Sequence, residues 1–173
     1  MSGTCRAAAD RSHVYFEDLP VGTVLEHPGR ALSGEEIIAF AREFDPEPFH
    51  VDREAAEASH FGGLVASGAH TFALWRRLNW ETQVRHGWVT LAGAGFDRMR
   101  LARPLRPGER VRLRTEVVDK RPSRTRPDRG VIKTRETLFV GSDDAVMTLL
   151  CTAIMARRPQ SENPGPDPEP GPI

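Results

Sequence analysis

A carboxylate and an imidazole five residues apart, on a proline-stiffened stretch, are the clearest chemistry-bearing feature of this 173-residue chain. They are Asp45 and His50 in Asp45-Pro-Glu-Pro-Phe-His50. Proline lowers the entropic cost of holding such a bend, so both side chains could be aimed at one water. An imidazole and a carboxylate sharing a water can exchange protons near neutral pH, which is general acid–base chemistry. The spacing leaves open which of the two is base and which is acid. Further on, Phe61-Gly-Gly63 breaks the chain and Ala66-Ser67-Gly68 precedes a helical pattern. A helix N-terminus carries unpaired N–H groups and the positive end of the helix dipole. Gly68 has no side chain to keep a developing oxyanion from its N–H, so it is the expected oxyanion donor. Ser67 suits an N-cap, a contact to Asp45, or both.

The elements that must position these groups are readable from pattern. Ser33-Gly-Glu-Glu36 is a capping box, and it predicts a helix over Glu35–Phe44 with Ile37, Ile38, Phe40 and Ala41 on one face. That helix should stop before Asp45-Pro46, because a residue preceding proline avoids helical geometry. The stretch from Asp45 to His50 is then expected as a stiff non-helical turn. Asp52 can cap a short helix over Arg53–Ala58, and Ser67 a longer one to about Arg85. Thr23 to Leu32 has room for a short extended segment. After Gly87 four runs read as strands: about Val89–Arg100, Arg110–Lys120, Val131–Val140 and Val146–Ala156. In the second, Val111, Leu113, Thr115 and Val117 alternate with Arg112, Arg114 and Glu116, which predicts a half-buried strand. Helices followed by consecutive antiparallel strands give an α+β class.

Length fits one domain, over 14–158. Residues 1–13 are a polar lead and 159–173 a Pro-rich acidic tail, and both are expected to stay disordered. Lys plus Arg and Asp plus Glu each number 24, so net charge gives no general pull toward nucleic acid or membrane. No apolar run reaches transmembrane length and the first residues lack a signal core, so the cytoplasm is the expected compartment. Cys5 and Cys151 form no ligand or disulfide pattern. Asp45, His50, Asp52, His60 and His70 show no metal-ligand spacing, so no metal is expected. His13, His27 and His86 are expected at the surface. The basic run Lys120–Arg129 reads as a solvated hairpin or as a phosphate-binding patch; guanidinium groups suit phosphate, and the absence of interleaved aromatics argues against RNA.

Residues 44–71, FDPEPFHVDREAAEASHFGGLVASGAHT, resemble the signature of MaoC-like hydratases and dehydratases, including R-specific enoyl-CoA hydratases. The matching positions are Asp45, Pro48 and His50, then Gly62-Gly63 and Ala66-Ser67-Gly68. The likeness extends more loosely from about Tyr15 to Arg158. Departures are Phe44 where Gly is usual before the Asp, Glu47 where Asn is common, and Ser67 where several relatives carry His. The resemblance implies a single hotdog domain, a long central helix wrapped by a curved antiparallel β-sheet. It implies reversible addition of water to an enoyl-CoA, giving an R 3-hydroxyacyl-CoA, with Asp45, His50 and the Gly68 N–H as catalytic groups. Ser67, Gly63, Phe49, Arg124 and Arg126 are the expected substrate-binding residues, the arginines at coenzyme A phosphates. No cofactor is expected beyond the coenzyme A of the substrate, and the expected assembly is a homodimer or a dimer of dimers. Rival readings are a non-catalytic acyl-CoA binder and a hotdog thioesterase. The latter needs a carboxylate near the long helix, and Ser67–Leu78 has none.

Overall fold

A computed structural model describes residues 13–159. The tails expected at 1–13 and 159–173 fall almost wholly outside that range. The described chain opens with a 3-10 turn at Phe16–Asp18 and strand β1 at Val24–Ala31. Four helices follow: α1 at Gly34–Phe44, α2 at Pro48–Val51, α3 at Arg53–Ala58 and α4 at Gly68–Arg85. Then come β2 at Thr90–Leu101, β3 at Arg110–Pro122, β4 at Arg129–Val140 and β5 at Asp144–Ala156. The five strands form one antiparallel sheet in the order β1-β3-β4-β5-β2, with α4 packed against it. This is the hotdog arrangement that the motif implied.

Local sequence explains most boundaries. The Ser33 hydroxyl accepts from the Glu36 N–H at 3.1 Å, and the Glu36 carboxylate accepts from the Ser33 N–H at 2.8 Å, so the capping box starts α1. Asp45 ends it, its N–H donating to Ala41 O at 2.8 Å. The Asp45–His50 stretch is not wholly non-helical: Pro48–Val51 is one helical turn. Pro48 occupies the first helical position, where a missing N–H costs nothing. Asp52 caps α3 as expected, accepting from the Ala55 N–H at 3.0 Å.

The larger core cluster joins Ile37 of α1, Leu74, Trp75 and Leu78 of α4, and inward residues of β3, β4 and β5 such as Leu113, Leu138 and Met147. Period-two alternation holds in β3, where Val111, Leu113, Thr115 and Val117 are buried. In β4 the buried phase is Gly130, Ile132, Thr134, Glu136 and Leu138, which carries a carboxylate into the core. Glu136 is 1% exposed. Its Oε2 accepts from Trp75 Nε1 at 3.3 Å and Thr115 Oγ1 at 2.7 Å, and its Oε1 from Asn79 Nδ2 at 3.3 Å and Thr134 Oγ1 at 2.6 Å. Desolvation raises its pKa, and the four hydrogen bonds from neutral partners only partly oppose this.

His27, expected at the surface, is buried in β1. Its Nδ1 accepts from the Gly29 N–H at 2.9 Å, so its proton sits on Nε2, 3.0 Å from the Glu81 carboxylate of α4. Burial lowers its pKa despite that neighbour. The two sheet edges differ. β1 contains Pro28 and a register shift between His27 and Arg30, where Gly29 has φ +71°. β2 has a bare outer edge over twelve residues, and Phe96, Met99 and Leu101 on it are about half exposed.

Candidate active site

His50 sits in α2 with its side chain buried, and the turn that carries it is closed by its own N–H on Glu47 O at 2.8 Å. Its Nδ1 lies 2.7 Å from the carbonyl oxygen of Val65. A carbonyl can only accept, so Nδ1 carries a proton, and in the neutral imidazole Nε2 presents a lone pair. Nε2 faces Asp45 Oδ2 at 4.0 Å. Two acceptors at that separation do not bond to each other. They leave a gap that one molecule with two donors, such as water, spans. Asp45, with its side chain 37% exposed, stands at the end of α1, while the imidazole is 9% exposed. Phe49 packs its ring edgewise on His50, with centroids 4.5 Å apart, and so backs the imidazole.

A cavity of about 330 Å³ opens beside His50, walled by Phe61, Gly68, Thr71 and the segment 101–105 among others. Its wall is tied together by the Ala66 N–H on Leu105 O at 2.8 Å. Gly68 is the first residue of α4, a position whose N–H has no intrahelical acceptor. A side chain there would place its Cβ 2.7 Å from Leu101 Cδ1, so glycine keeps the backbone approachable. His50 and Gly68 both line this cavity, while Asp45 lies outside its wall, 4.0 Å from His50 Nε2. The geometry offers an imidazole with a carboxylate behind it and a helix N-terminus in the same cavity wall, which suits proton transfer beside a developing oxyanion.

Other expected residues have different places. Ser67 is fully buried and its hydroxyl accepts from the His70 N–H at 3.1 Å, so it acts as the N-cap and is not in the cavity wall. Gly63 also lies outside the wall. It shapes the turn after α3, with φ +147° and its N–H on Ala56 O at 2.9 Å. Arg124 and Arg126 lie in the turn between β3 and β4, at the end of the hairpin remote from this cavity within one chain. Thr71, Phe61 and Arg103 were not singled out from sequence, yet all three line the cavity. Thr71 is three residues beyond Gly68 on the same helical face, a signal that was available. Arg103 is held by Glu109 at 3.0 Å and Asp144 at 2.7 Å, contacts between segments that no local pattern announces. Among the described residues no group of three or more His, Cys, Asp or Glu is placed to hold a metal, and no helix is long and apolar enough to cross a membrane.

Comparison with known proteins agrees with this arrangement. The sequence profile described as "MaoC like domain" matches residues 16–138. A crystal structure of a MaoC-like dehydratase from Rhodospirillum rubrum superposes with a TM-score of 0.75 at 36% identity, covering 85% of this chain and 99% of that one. The uncharacterized protein YdeM of Bacillus subtilis is 33% identical over 109 residues, 63% of this chain and 77% of its own. The 3-hydroxyacyl-thioester dehydratase Z of Mycobacterium tuberculosis is 33% identical over 88 residues, which span 50% of this chain and 58% of the relative. With a profile match over most of its length, and a relative aligned almost end to end on the same fold, this chain belongs to the MaoC-like domain family.

Proposed function

We propose that the protein is an acyl-thioester hydratase/dehydratase that interconverts an enoyl-CoA and an R 3-hydroxyacyl-CoA. The observation that carries the reading is the tautomer lock: Val65 O fixes the proton on His50 Nδ1, leaving Nε2 and Asp45 Oδ2 as two acceptors 4.0 Å apart. One water donating to both would be oriented with its oxygen lone pairs toward the cavity. In hydration that water attacks the β-carbon of the unsaturated thioester as one of the pair takes its proton. The negative charge delocalised onto the thioester oxygen meets the Gly68 N–H, and the group that took the water's proton then delivers it to the α-carbon. The reverse sequence expels water from the 3-hydroxyacyl thioester. The net change is addition or loss of water, so it calls for no redox partner, and coenzyme A enters with the substrate. The likeness to a 3-hydroxyacyl-thioester dehydratase supports the same class. R stereochemistry rests on the motif's likeness to R-specific hydratases.

The working unit is a homodimer built through the bare edge of β2. Leu91, Phe96, Met99 and Leu101 are each close to half exposed along that strand, beside Trp80 and Val84 on the outer side of α4. A contiguous apolar surface on an unpaired strand marks an interface. Leu101 also walls the cavity, so a second copy on this edge would close it further.

The test is hydration of crotonyl-CoA, followed by loss of absorbance from the conjugated double bond. Asp45→Ala and His50→Ala should each lower kcat by about 10²–10⁴-fold with the fold intact, the range for loss of a general acid or base. Near-normal turnover in both variants would refute the mechanism. Release of free thiol without hydration would point instead to a thioesterase, and binding without turnover to an acyl-CoA carrier.

A further inference from the structure

We propose that Arg106 is a positioning residue for the cavity: lying across Gly63, it holds Phe61 in the wall and so sets how bulky an acyl group is admitted. This rests on the hydratase reading above, since it concerns the same cavity. It also gives a role to Gly63, which lies outside the wall.

Two stretches far apart in sequence share the cavity wall. The turn after α3 contributes Phe61, and the segment 101–105 contributes Leu101 to Leu105. Each is braced within itself. The Ser59 hydroxyl donates to Ala56 O at 2.7 Å and accepts from the Phe61 N–H at 3.1 Å, while the Gly62 N–H donates to Ser59 O at 3.0 Å. On the other stretch, Glu109 Oε2 accepts from the Arg106 N–H at 2.7 Å and from Arg103 Nη1 at 3.0 Å. Among the described residues one hydrogen bond ties the turn 59–63 to the segment 103–109. Arg106 Nη2 donates it to the Phe61 carbonyl at 2.6 Å. A guanidinium donor makes this a charge-assisted bond.

Glycine is what lets the guanidinium lie there. A Cβ at Gly63 would sit 3.2 Å from Arg106 Nη1, closer than ordinary van der Waals contact. Gly62 and Gly63, with φ +60° and +147°, also make the turn easy to bend, so its place depends on what grips it from outside. The Phe61 ring packs on His60 and Phe49, with centroids 3.9 and 5.1 Å away. Those contacts lie on the α2–α3 side and aim the ring. The spacing across the cavity to segment 101–105 is left to Arg106. Without that grip the Phe61 side recedes and the cavity of about 330 Å³ widens. His50 keeps its own bond to Val65 O, so the change alters fit more than chemistry. At this size, near the small end for ligand pockets, the place of one ring decides what enters.

The experiment compares two saturated thioesters that cannot be hydrated, butyryl-CoA and the bulkier 3-phenylpropanoyl-CoA, by calorimetry on the full chain. The wild type should prefer butyryl-CoA. Arg106→Ala, a change at an exposed residue, should move the affinity ratio toward the bulkier thioester by at least about tenfold. Arg106→Lys keeps a donor for the same carbonyl and should return the ratio to within about threefold of wild type. Phe61→Ala should reproduce the shift, and adding Arg106→Ala to it should move the ratio by less than about twofold, because both act through one group. With crotonyl-CoA, Arg106→Ala should raise KM while kcat stays within about twofold. An unmoved ratio in Arg106→Ala, or both affinities falling together with Tm, makes the contact merely structural and overturns the proposal. A shifted ratio in a protein that hydrates nothing sinks the hydratase reading and leaves the positioning role standing. Normal hydration with an unmoved ratio does the reverse.

Discussion

Replacing Glu136 by glutamine should change the stability of this protein in a way that depends on pH, with a sign the structure fixes. The carboxylate is buried and takes four hydrogen bonds, two from the helix residues Trp75 and Asn79 and two from strand hydroxyls. Glutamine has the same shape but one acceptor oxygen in place of two. Its amide nitrogen cannot face Trp75 Nε1, which only donates. It must take the place of Oε1, where the Thr134 hydroxyl can rotate to accept but Asn79 Nδ2 is left opposed. Asn79 cannot simply turn over, because its Oδ1 accepts from Arg76 at 3.2 Å and Gln83 at 2.8 Å. One buried donor without an acceptor costs about 1–3 kcal/mol.

Against this stands ionisation. Desolvation raises the folded-state pKa of Glu136 above its ordinary value of 4.5. The stability that Glu136 contributes is fully present below that ordinary value and is lost as pH rises through the folded-state pKa. Glutamine does not titrate. The stability difference, wild type minus Glu136→Gln, should therefore be largest near pH 4 and shrink or reverse by pH 8. Urea unfolding of both proteins across this range isolates the effect, because other titrating groups are common to both. A difference that grows in favour of the wild type as pH rises would show that the carboxylate is stabilised as an anion, and the reasoning would fail. Glu136→Ala, which strands the indole and amide donors together and opens a cavity, should cost about 3–6 kcal/mol near pH 4 and less as pH rises, for the same reason.

Phe96→Glu puts a charge on the bare edge of β2 and should shift sedimentation from dimer toward monomer with the fold retained, while an unchanged dimer would place the interface elsewhere. Gly29→Ala should cost several kcal/mol and lower Tm, because φ is +71° and a Cβ would sit 1.5 Å from Val111 O; unaltered melting would mean that β1 relaxes without cost. His27 has its pKa lowered by burial, so its contribution is fully present above pH 6.5 and is lost as pH falls toward the folded-state pKa. His27→Gln should accordingly flatten the decline in stability on the acid side of pH 6.5, seen by urea unfolding at several pH values.

The parts of the fold written in short-range pattern were legible. Ser33 and Glu36 announced α1, Asp52 announced α3, and alternation in 111–117 gave the inward face of β3. The Asp45/His50 pairing and the Gly68 helix start were legible because one stretch of chain carries both. What the sequence concealed depends on long-range partners. His27 looked like a surface residue because Pro28-Gly29 interrupts the alternation that would have turned it inward. Glu136 sits in the buried phase of β4, but a carboxylate there makes sense only once Trp75 and Asn79, some sixty residues earlier, are seen above it. Val65 O, which sets the histidine tautomer, is a backbone atom that no side-chain pattern reveals.

The unlike edges of the sheet bear on how far assembly can proceed. A sheet with two receptive borders can keep adding copies and grow into a fibre. Here both borders carry bulges, but the β2 border is apolar and free of proline, while the β1 border holds Pro28 in its middle. Joining two β2 borders consumes both and leaves only the proline-bearing β1 borders facing outward. In the proposed dimer, growth along the hydrogen-bonding direction would end at a pair, and an apolar strand that would otherwise invite aggregation would be used up in one closed step.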